Sequence, residues 1–257
     1  MSTTKLELHG LSKTYSSKGA AAKVIENVTL TASEGEFVSI IGPSGCGKST
    51  LFHIIGGITE PTAGKVMLDG KEITGSKGLI SYMPQQPALF PWRTILDNVI
   101  MGQELAGSPK KEAREAAREW LAKAGLQGYE KAYPHMLSGG MQQRAAFIRA
   151  LLSPREVMCL DEPFGALDAL TRQDMQSWLL DIWENNKRTV LFITHSIEEA
   201  LFLSDKIVLL SRKPTHVLKE LVVPLPRPRQ EEVVNDPVFL ELKQHIYGLM
   251  KQEQRHN

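Results

Sequence analysis

Short apolar runs recur along the chain and are separated by amphipathic or glycine-rich segments. The runs lie at residues 6–8, 28–31, 37–41, 65–68, 80–83, 157–160, 190–193 and 207–210. Their length and their polar or glycine boundaries predict strands, and helical patterns at residues 48–55, 170–184 and 196–202 lie between several of them. Continuous apolar strands that alternate with helices predict an α/β fold with a parallel sheet covered on both faces.

The middle of the chain, from about residue 87 to residue 153, has a helical pattern of apolar residues. One face of a predicted helix carries Ala113, Ala116, Ala117, Trp120, Leu121 and Ala124, at the spacing of successive helical turns. The opposite face is charged, and we interpret it as a solvent-exposed surface. A second helix is predicted from about Ser138 to residue 152, with its apolar stripe at Met141, Ala145, Ile148 and Leu152.

The C-terminal part contains a proline-rich segment, Pro224-Leu225-Pro226-Arg227-Pro228-Arg229. Its three prolines exclude a helix interior or a central strand, because proline has no backbone N–H donor. We interpret this segment as a linker to a last short helix at residues 237–252.

The composition fits a folded domain and excludes several classes of protein. The 257 residues are 42% hydrophobic and 23% charged, and 30 basic residues nearly balance 29 acidic ones. This balance is unlike that of a nucleic-acid binder, so we expect no nucleic-acid partner. Cys46 and Cys159 do not suggest a disulfide framework, which favours a reducing compartment. The first ten residues have no apolar signal core and no apolar run approaches bilayer length, so a membrane role predicts a separate membrane partner.

A glycine-rich loop carries the strongest chemical signal. Its sequence, Gly42-Pro43-Ser44-Gly45-Cys46-Gly47-Lys48-Ser49-Thr50, matches the pattern G-x-x-x-x-G-K-[ST] between a predicted strand and a predicted helix. The glycines and the helix N-terminus direct backbone N–H groups towards phosphate oxygens. Lys48 adds a positive charge for the β- and γ-phosphates, and Ser49 offers a hydroxyl to Mg²⁺. The loop alone predicts a nucleotide-binding protein.

Other predicted strands end in polar residues that suit the same site, because ligands gather at the carboxyl ends of parallel strands. We predict that Asp161 holds Mg²⁺ through its water shell and that Glu162 orients or deprotonates an attacking water. We predict that His195 contacts the γ-phosphate and stabilises the transition state. Helix-capping, turn and other structural roles are the alternatives for these three residues.

Two further candidates lie beside this site in the sequence. Gln85, or its neighbour Gln86, follows the strand at residues 80–83 and places an amide within reach of Mg²⁺ and the attacking water. Tyr15, after the first predicted strand, offers a ring that can stack on adenine. A core tyrosine is the alternative for Tyr15.

The segment Leu137-Ser138-Gly139-Gly140-Met141-Gln142-Gln143-Arg144 resembles the signature of the ABC transporter ATP-binding subunits. As a helix N-terminus of small residues it can donate backbone hydrogen bonds to a phosphate, although a simple N-cap by Ser138 also fits. The resemblance covers roughly residues 6–228 and implies a P-loop NTPase parallel-sheet core with an N-terminal antiparallel β part. It further implies an ATPase domain at residues 1–229, an inserted α-helical subdomain at about 87–153, and a short helical tail at 230–257.

The resemblance also implies a role for each site residue. Tyr15 stacks on adenine, Gln85 rather than Gln86 is the loop glutamine, and Asp168 lies in the loop that crosses the dimer interface. The implied catalytic residues are Glu162, His195 and Gln85, and the implied ligands of Mg²⁺ are Ser49, Gln85 and Asp161. Contacts to the ATP of a second subunit are implied for Ser138, Gly139, Gly140 and Gln142.

In this family two subunits pair head to tail around two ATP molecules. The resemblance therefore implies a homodimer, Mg²⁺, permease subunits at the cytoplasmic face of a bacterial membrane and, indirectly, an extracytoplasmic solute-binding protein. We interpret Leu89-Phe90-Pro91-Trp92 as the lining of a groove for a permease helix, with a buried loop anchor as the alternative.

Segments 89–94, 194–200 and 224–229 look most like those of nitrate, sulfonate and taurine importers, whose relatives include importers of thiamine-precursor pyrimidines. We therefore predict an ATPase that energises uptake of such a solute. The alternatives are a DNA-repair or chromosome ATPase, a translation factor and a small-molecule P-loop kinase. The first would need long coiled-coil or zinc insertions, the second usually carries two ATPase domains, and most P-loop kinases lack the signature segment.

Overall fold

The computed structural model describes residues 3–17 and 20–255, and the following elements lie within those ranges. The strands are β1 (Thr4–Ser17), β2 (Ala20–Ser33), β3 (Phe37–Ile41), β4 (Ala63–Leu68), β5 (Lys71–Glu72), β6 (Ser81–Met83), β7 (Val157–Asp161), β8 (Thr189–Ile193), β9 (Lys206–Leu210) and β10 (Val217–Val222). The helices are α1 (Lys48–Ile55), α2 (Ile95–Val99), α3 (Met101–Leu105), α4 (Lys110–Lys123), α5 (Gly139–Leu151), α6 (Ala169–Asn186), α7 (Ile197–Leu203) and α8 (Pro237–Arg255). Short 3₁₀ turns lie at Pro134–Met136 and Glu231–Asn235.

The central sheet has the strand order β10-β9-β3-β8-β7-β6. Strands β9, β3, β8, β7 and β6 pair in parallel, and β10 is antiparallel to β9 at the edge. Every residue of β3, β7 and β8 is buried, as expected for strands that are covered on both faces. The predicted α/β fold is therefore confirmed. The apolar pattern does not predict β10, because this edge strand is largely exposed and carries charged residues.

Two hydrophobic layers cover the central sheet, because successive side chains of a strand point to opposite faces. On one face, Val38 and Ile40 belong to the same buried cluster as Phe52 of α1. On the other face, Phe37 and Phe192 pack with residues of α5 and α6. The helix that follows the glycine-rich loop is thus held firmly against the sheet.

The N-terminal part is an antiparallel sheet with the order β2-β1-β4-β5. Its Leu8 and Leu30 join the buried cluster of α1, so that α1 packs against both sheets. Strand β1 continues to Ser17 through several register shifts, one of them between Leu8 and Leu11, where Gly10 has a φ of 58°. Tyr15 therefore lies on β1, and the prediction that it follows the first strand is wrong.

The segment between β6 and β7 folds into α2 to α5. The predicted stripe of α4 faces inwards, since Ala113, Ala117 and Leu121 are buried against Ile148 of α5. Helix α5 also contributes Phe147 to the cluster on the central sheet. Helix α5 therefore joins the helical part rigidly to the core.

The proline-rich segment is packed rather than free. Arg229 is buried and donates hydrogen bonds to the carbonyl oxygens of Leu201, at 3.0 Å, and Ser204, at 2.7 Å. Leu225 shares a buried cluster with Phe239 of α8 and with α7. The linker interpretation is thus incomplete, because the segment also packs against the core. Its arginines donate hydrogen bonds to the last carbonyl groups of α7, which have no partner within the helix. Over residues 3–17 and 20–255, no helix has both the length and the apolar character that a membrane span requires.

Candidate functional site

Polar residues from four strand ends meet at one edge of the central sheet. The glycine-rich loop, residues 42–47, follows β3, and Asp161 is the last residue of β7. Gln85 and His195 each lie two residues beyond the end of a strand, β6 and β8 respectively. The carboxyl ends of parallel strands share one edge, so the structure brings these segments together as the sequence predicts.

The glycine-rich loop has a shape that only small residues permit. Gly45 and Gly47 have φ angles of 72° and 125°, and a Cβ atom on Gly47 would lie 2.9 Å from Val24 Cγ1. The Lys48 side chain is buried inside the loop, where Nζ donates to the carbonyl oxygens of Gly42, at 2.9 Å, and Pro43, at 3.0 Å. A buried ammonium group beside the N-terminal N–H groups of α1 makes a strong anion-binding site.

Asp161 is a buried carboxylate with unused acceptor capacity. It is 1% exposed, and neither carboxylate oxygen has a hydrogen-bond partner among the described residues. Burial raises the pKa of Asp161, and the Ser49 hydroxyl and the Lys48 charge oppose that shift. Two orphaned oxygens beside a serine hydroxyl match the oxygen donors that Mg²⁺ prefers. The described part of the chain has no cluster of three or more His, Cys, Asp or Glu side chains that could hold a metal, and Mg²⁺ on a nucleotide needs only one or two protein carboxylates.

Glu162 is held on both carboxylate oxygens. Gln85 Nε2 donates to Oε2 at 2.9 Å, and His195 Nε2 contacts Oε1. The backbone of Glu162 has a φ of 48°, a left-handed conformation that is uncommon for a residue with a side chain. The structure thus places three predicted catalytic residues in direct contact around one carboxylate.

Gln143 is a site residue that the sequence analysis missed. It is buried, its Nε2 donates to the Glu162 carbonyl at 3.1 Å, and its Oε1 accepts from the Ala166 N–H at 3.0 Å. Gln143 therefore clamps both ends of the turn after Glu162. The neighbouring Gln142 instead donates to the carbonyl oxygens of Pro134 and Leu137, at 2.9 Å and 3.2 Å. Nothing in the sequence distinguishes the two glutamines. Their hydrogen-bond partners differ because the two side chains leave α5 in different directions.

The signature residues lie at the exposed N-terminus of α5. Ser138 caps this helix by accepting from the Met141 N–H at 3.3 Å, and the space around a Cβ on Gly139 is open. A Cβ on Gly140 would lie 3.2 Å from Leu167, in the segment that resembles a dimer-interface loop, residues 166–168, which we call the interface loop. The signature segment thus meets the interface loop.

Asp168 begins α6 as its N-cap residue, since its Oδ1 accepts from the Thr171 N–H at 3.0 Å. This hydrogen bonding to Thr171 lowers the pKa of Asp168, which is exposed. A capping role and a position at a subunit interface are compatible, because the cap uses one carboxylate oxygen.

Two aromatic candidates are accessible. Tyr15 is 42% exposed with Lys13 Nζ 5.0 Å from its ring centroid, so the core-tyrosine alternative is wrong. Trp92 is 71% exposed, and its ring lies 5.1 Å from that of Phe90. Buried Asn98 is a second residue that the sequence analysis missed. It holds the turn at Phe90, because its Oδ1 accepts from the Phe90 N–H at 2.7 Å and its Nδ2 donates to the Phe90 carbonyl at 3.1 Å. Trp92 therefore lies on the surface, and the alternative of a buried loop anchor does not apply to it.

Comparisons with known proteins agree with this geometry. The family model for ABC transporters matches residues 25–165. An uncharacterized ABC transporter ATP-binding protein of Methanocaldococcus jannaschii is 45% identical over 97% of this chain and 92% of its own length. The aliphatic sulfonates import ATP-binding protein SsuB of Bacillus cereus is 41% identical over 94% of each chain. The bicarbonate transport ATP-binding protein CmpD of Synechocystis is 41% identical over 96% of this chain and 89% of its own.

A solved structure shares the fold. The dimeric ATP-binding cassette MJ0796, in a post-hydrolysis state bound to ADP and Pi, matches with a TM-score of 0.78 and 33% identity. The match covers 86% of this chain and 100% of that one. The matched sequences, the shared fold and the phosphate loop with its surrounding carboxylates lead to one conclusion: the chain belongs to the ABC transporter ATP-binding subunits, which hydrolyse ATP.

Proposed function

We propose that this chain hydrolyses Mg·ATP at the glycine-rich loop to drive import of a small solute through a separate permease. The observation that carries the proposal is the Glu162 carboxylate, which lies between the Gln85 amide and the His195 imidazole. A carboxylate that is oriented on both oxygens beside a phosphate-binding loop suits the activation of water for attack on a γ-phosphate.

Binding uses the loop and the residues around it. Lys48 and the backbone N–H groups of residues 44–50 hold the phosphates, and the exposed Tyr15 ring stacks on adenine. Ser49, Asp161 and Gln85 would hold Mg²⁺, which when bound neutralises charge on the β- and γ-phosphates. Buried Asp161 supports this assignment because an ion would satisfy its orphaned oxygens.

Hydrolysis is then assigned to Glu162 and His195. Glu162 orients the attacking water and accepts its proton as the bond between the γ-phosphorus and the leaving ADP oxygen breaks. His195 holds the carboxylate and contacts the γ-phosphate in the transition state. The expected consequence is that His195→Ala lowers kcat by about 10²-fold with little change in Mg·ATP affinity. Phosphate release and nucleotide binding by the purified chain measure the two effects, and normal turnover would remove His195 from the mechanism.

A second copy completes the site in this proposal. In this dimer the helix N-terminus at Ser138, Gly139 and Gly140 faces the ATP of the partner copy, as do Gln142 and the interface loop around Asp168. The dimeric form of the MJ0796 cassette supports this arrangement. ATP then favours the closed dimer through contacts that hydrolysis removes, which is the condition for a ligand to drive a conformational change.

The permease contact is proposed at the Phe90–Trp92 turn, where Trp92 is exposed, and this contact puts the chain at the cytoplasmic face of a membrane as a peripheral subunit. The predicted bacterial origin stays a prediction, since similar chains occur in an archaeon and in bacteria. The relatives named for sulfonates and bicarbonate favour a small oxyanion as solute, with a thiamine-precursor pyrimidine as the alternative. Selection among solutes belongs to the permease and to an extracytoplasmic binding protein.

Isolation of the native complex tests this function. We expect a membrane permease to co-purify with the chain and to be lost with Trp92→Ser, while Leu105→Ser, at another exposed apolar residue, retains it. Co-purified nucleic acid or ribosomes would contradict the transporter assignment. In the reconstituted complex with its binding protein, stimulation of ATP hydrolysis by taurine, nitrate or bicarbonate, but not by a pyrimidine, would support the oxyanion class.

A further inference from the structure

A buried hydrogen-bond network lies behind His195. Thr194, the residue before it, donates its hydroxyl hydrogen to Glu199 Oε2. The same hydroxyl oxygen accepts from the Ser196 N–H at 3.0 Å. Thr194 and Ser196 flank His195 on either side, so these two bonds fix the turn that carries the imidazole.

The other oxygen of Glu199 faces α6. Gln176 Nε2 donates to Oε1 at 2.9 Å, and Arg172 Nε lies 4.0 Å from the same oxygen. Arg172 also donates from Nη2 to the carbonyl oxygen of Leu167, in the interface loop, at 2.9 Å. One carboxylate thereby lies between the interface loop and the turn of His195, with an ion pair to Arg172 on one side and a hydrogen bond from Thr194 on the other.

Hydrogen-bond donors face both side-chain oxygens of Glu199, so the position suits a carboxylate. The Glu199 side chain is 11% exposed, and its burial raises the pKa, with Thr194 and Arg172 acting in the opposite direction. Burying a carboxylate costs free energy, and an apolar residue of similar size would avoid that cost. Glu199 lies in the first turn of α7, where a carboxylate also interacts favourably with the helix dipole. Its bonds on both oxygens, to Thr194 on one side and to Gln176 on the other, indicate a positioning role in addition.

We propose that Glu199 is a positioning residue that couples the interface loop to the orientation of His195 during hydrolysis. The inference rests on the catalytic role proposed above for His195. A movement of the interface loop shifts Arg172, which shifts Glu199, and Glu199 acts on His195 through Thr194. Glu199 has no contact with the glycine-rich loop among its described hydrogen bonds, so turnover depends on it while nucleotide binding does not.

The first test compares Glu199→Gln with Glu198→Gln. The glutamine keeps the shape of Glu199 but has only one acceptor oxygen. If that oxygen accepts from Thr194, the NH₂ group faces the N–H donors of Gln176 and Arg172 and cannot bond to them. We expect kcat to fall by about tenfold with KM for ATP changed less than about twofold. The matched control loses the same charge one residue away, where Glu198 is exposed and pairs with Lys243, and should keep normal kcat. A normal kcat for Glu199→Gln would overturn the proposal, as would a KM change equal to the kcat change.

The second test is a double-mutant cycle between Arg172→Gln and Thr194→Val, which replaces neither Glu199 nor His195. Each variant alone should lower kcat about five- to tenfold, and Thr194→Ser, which keeps the hydroxyl, should retain most of the rate. Because both variants break the same connection, the double variant should be no slower than the slower single variant. Multiplicative effects would overturn the proposal, since they would mean that the two residues act independently.

The two failures can be told apart with His195→Ala. Normal turnover in His195→Ala would refute the catalytic assignment, and the coupling through Glu199 with it. A slow His195→Ala together with a multiplicative cycle would refute the coupling alone. The thermal unfolding of each variant, followed by circular dichroism, shows whether the fold is intact, and the cycle still decides if Glu199→Gln does not fold.

Discussion

The half of the site at the glycine-rich loop and the half at the signature segment differ in burial and in hydrogen bonding. Lys48 and Asp161 are buried, and Glu162 is held by side chains from the segments that follow two other strands. Ser138 and Asp168, by contrast, are exposed N-cap residues whose described hydrogen bonds cap their own helices. An exposed helix N-terminus has N–H groups without an intrahelical partner, and these groups can bind a phosphate that comes from outside the chain. One half is therefore assembled by folding, and in the proposed dimer the other half binds a phosphate held by a second copy.

The largest expected effect breaks the buried half. Glu162→Gln keeps the shape of the side chain but removes the base, so we expect kcat to fall by about 10³-fold while Mg·ATP affinity changes little. Single-turnover phosphate release measures the first quantity and equilibrium nucleotide binding the second. Glu232→Gln, an exposed residue of the second 3₁₀ turn, is the control for loss of a carboxylate. Turnover within about tenfold of wild type would remove Glu162 from the role of base.

The next effect breaks the exposed half. Gly139→Asp adds a negative charge where a phosphate is expected, and we expect about a 10²-fold loss of turnover. The helix itself should not be weakened, because an acidic side chain at a helix N-terminus interacts favourably with the helix dipole. ATP affinity of the separate chain should be unchanged. Gly248→Asp, in α8 and also with open space around its Cβ position, should hydrolyse ATP normally.

Mixing two inactive variants tests whether the two halves of one site come from different copies of the chain. Gly139→Asp retains the glycine-rich loop, and Lys48→Ala retains the signature end. A mixed dimer therefore has one site with both intact halves, and we expect the mixture to recover turnover that neither variant shows alone. No recovery at any mixing ratio would indicate that the two halves act within one chain.

A smaller effect concerns stability and pH. Burial raises the pKa of Asp161 above its ordinary value of 3.8, so the folded chain keeps this proton where the unfolded chain has lost it. Ionised Asp161 therefore lowers stability as pH rises from the ordinary value towards the raised one. We expect Asp161→Asn to increase the free energy of unfolding by about 1–2 kcal/mol at pH 7 without nucleotide or Mg²⁺, and to lose turnover. Urea unfolding should show that this gain disappears below about pH 4, and a less stable variant at pH 7 would contradict the burial argument.

The smallest effect tests the cap of the exposed half. Ser138→Ala removes the acceptor for the Met141 N–H and should lower the free energy of unfolding by about 1 kcal/mol or less. Ser138→Thr, which can still cap, should stay close to wild type in urea unfolding. A stability loss in Ser138→Thr as large as that in Ser138→Ala would show that the hydroxyl is not the stabilising group.

Much of the site was accessible to sequence reasoning because its physics is local. The helix predicted at residues 48–55 is α1, since the glycines before it and the apolar face within it lie in one short segment. The approach of Asp161 to His195 follows from the general rule that parallel strands end at one edge. Residues were missed where the partner is distant in sequence and no rule of strand ends brings the two together. Gln143 reaches the Glu162 carbonyl 19 residues away, and Gln176 reaches Glu199 across 23 residues.

The class of fold, the phosphate-binding loop and the polar strand ends follow from the amino-acid sequence, because backbone geometry and apolar periodicity act over a few residues. The packed fold was needed to show that Tyr15 lies on a strand, that Gln143 rather than Gln142 holds the turn after Glu162, and that Arg229 is buried under α7. These outcomes depend on which carbonyl or carboxylate remains unpaired after the sheets and helices have packed. Such partners exist only once distant segments have met.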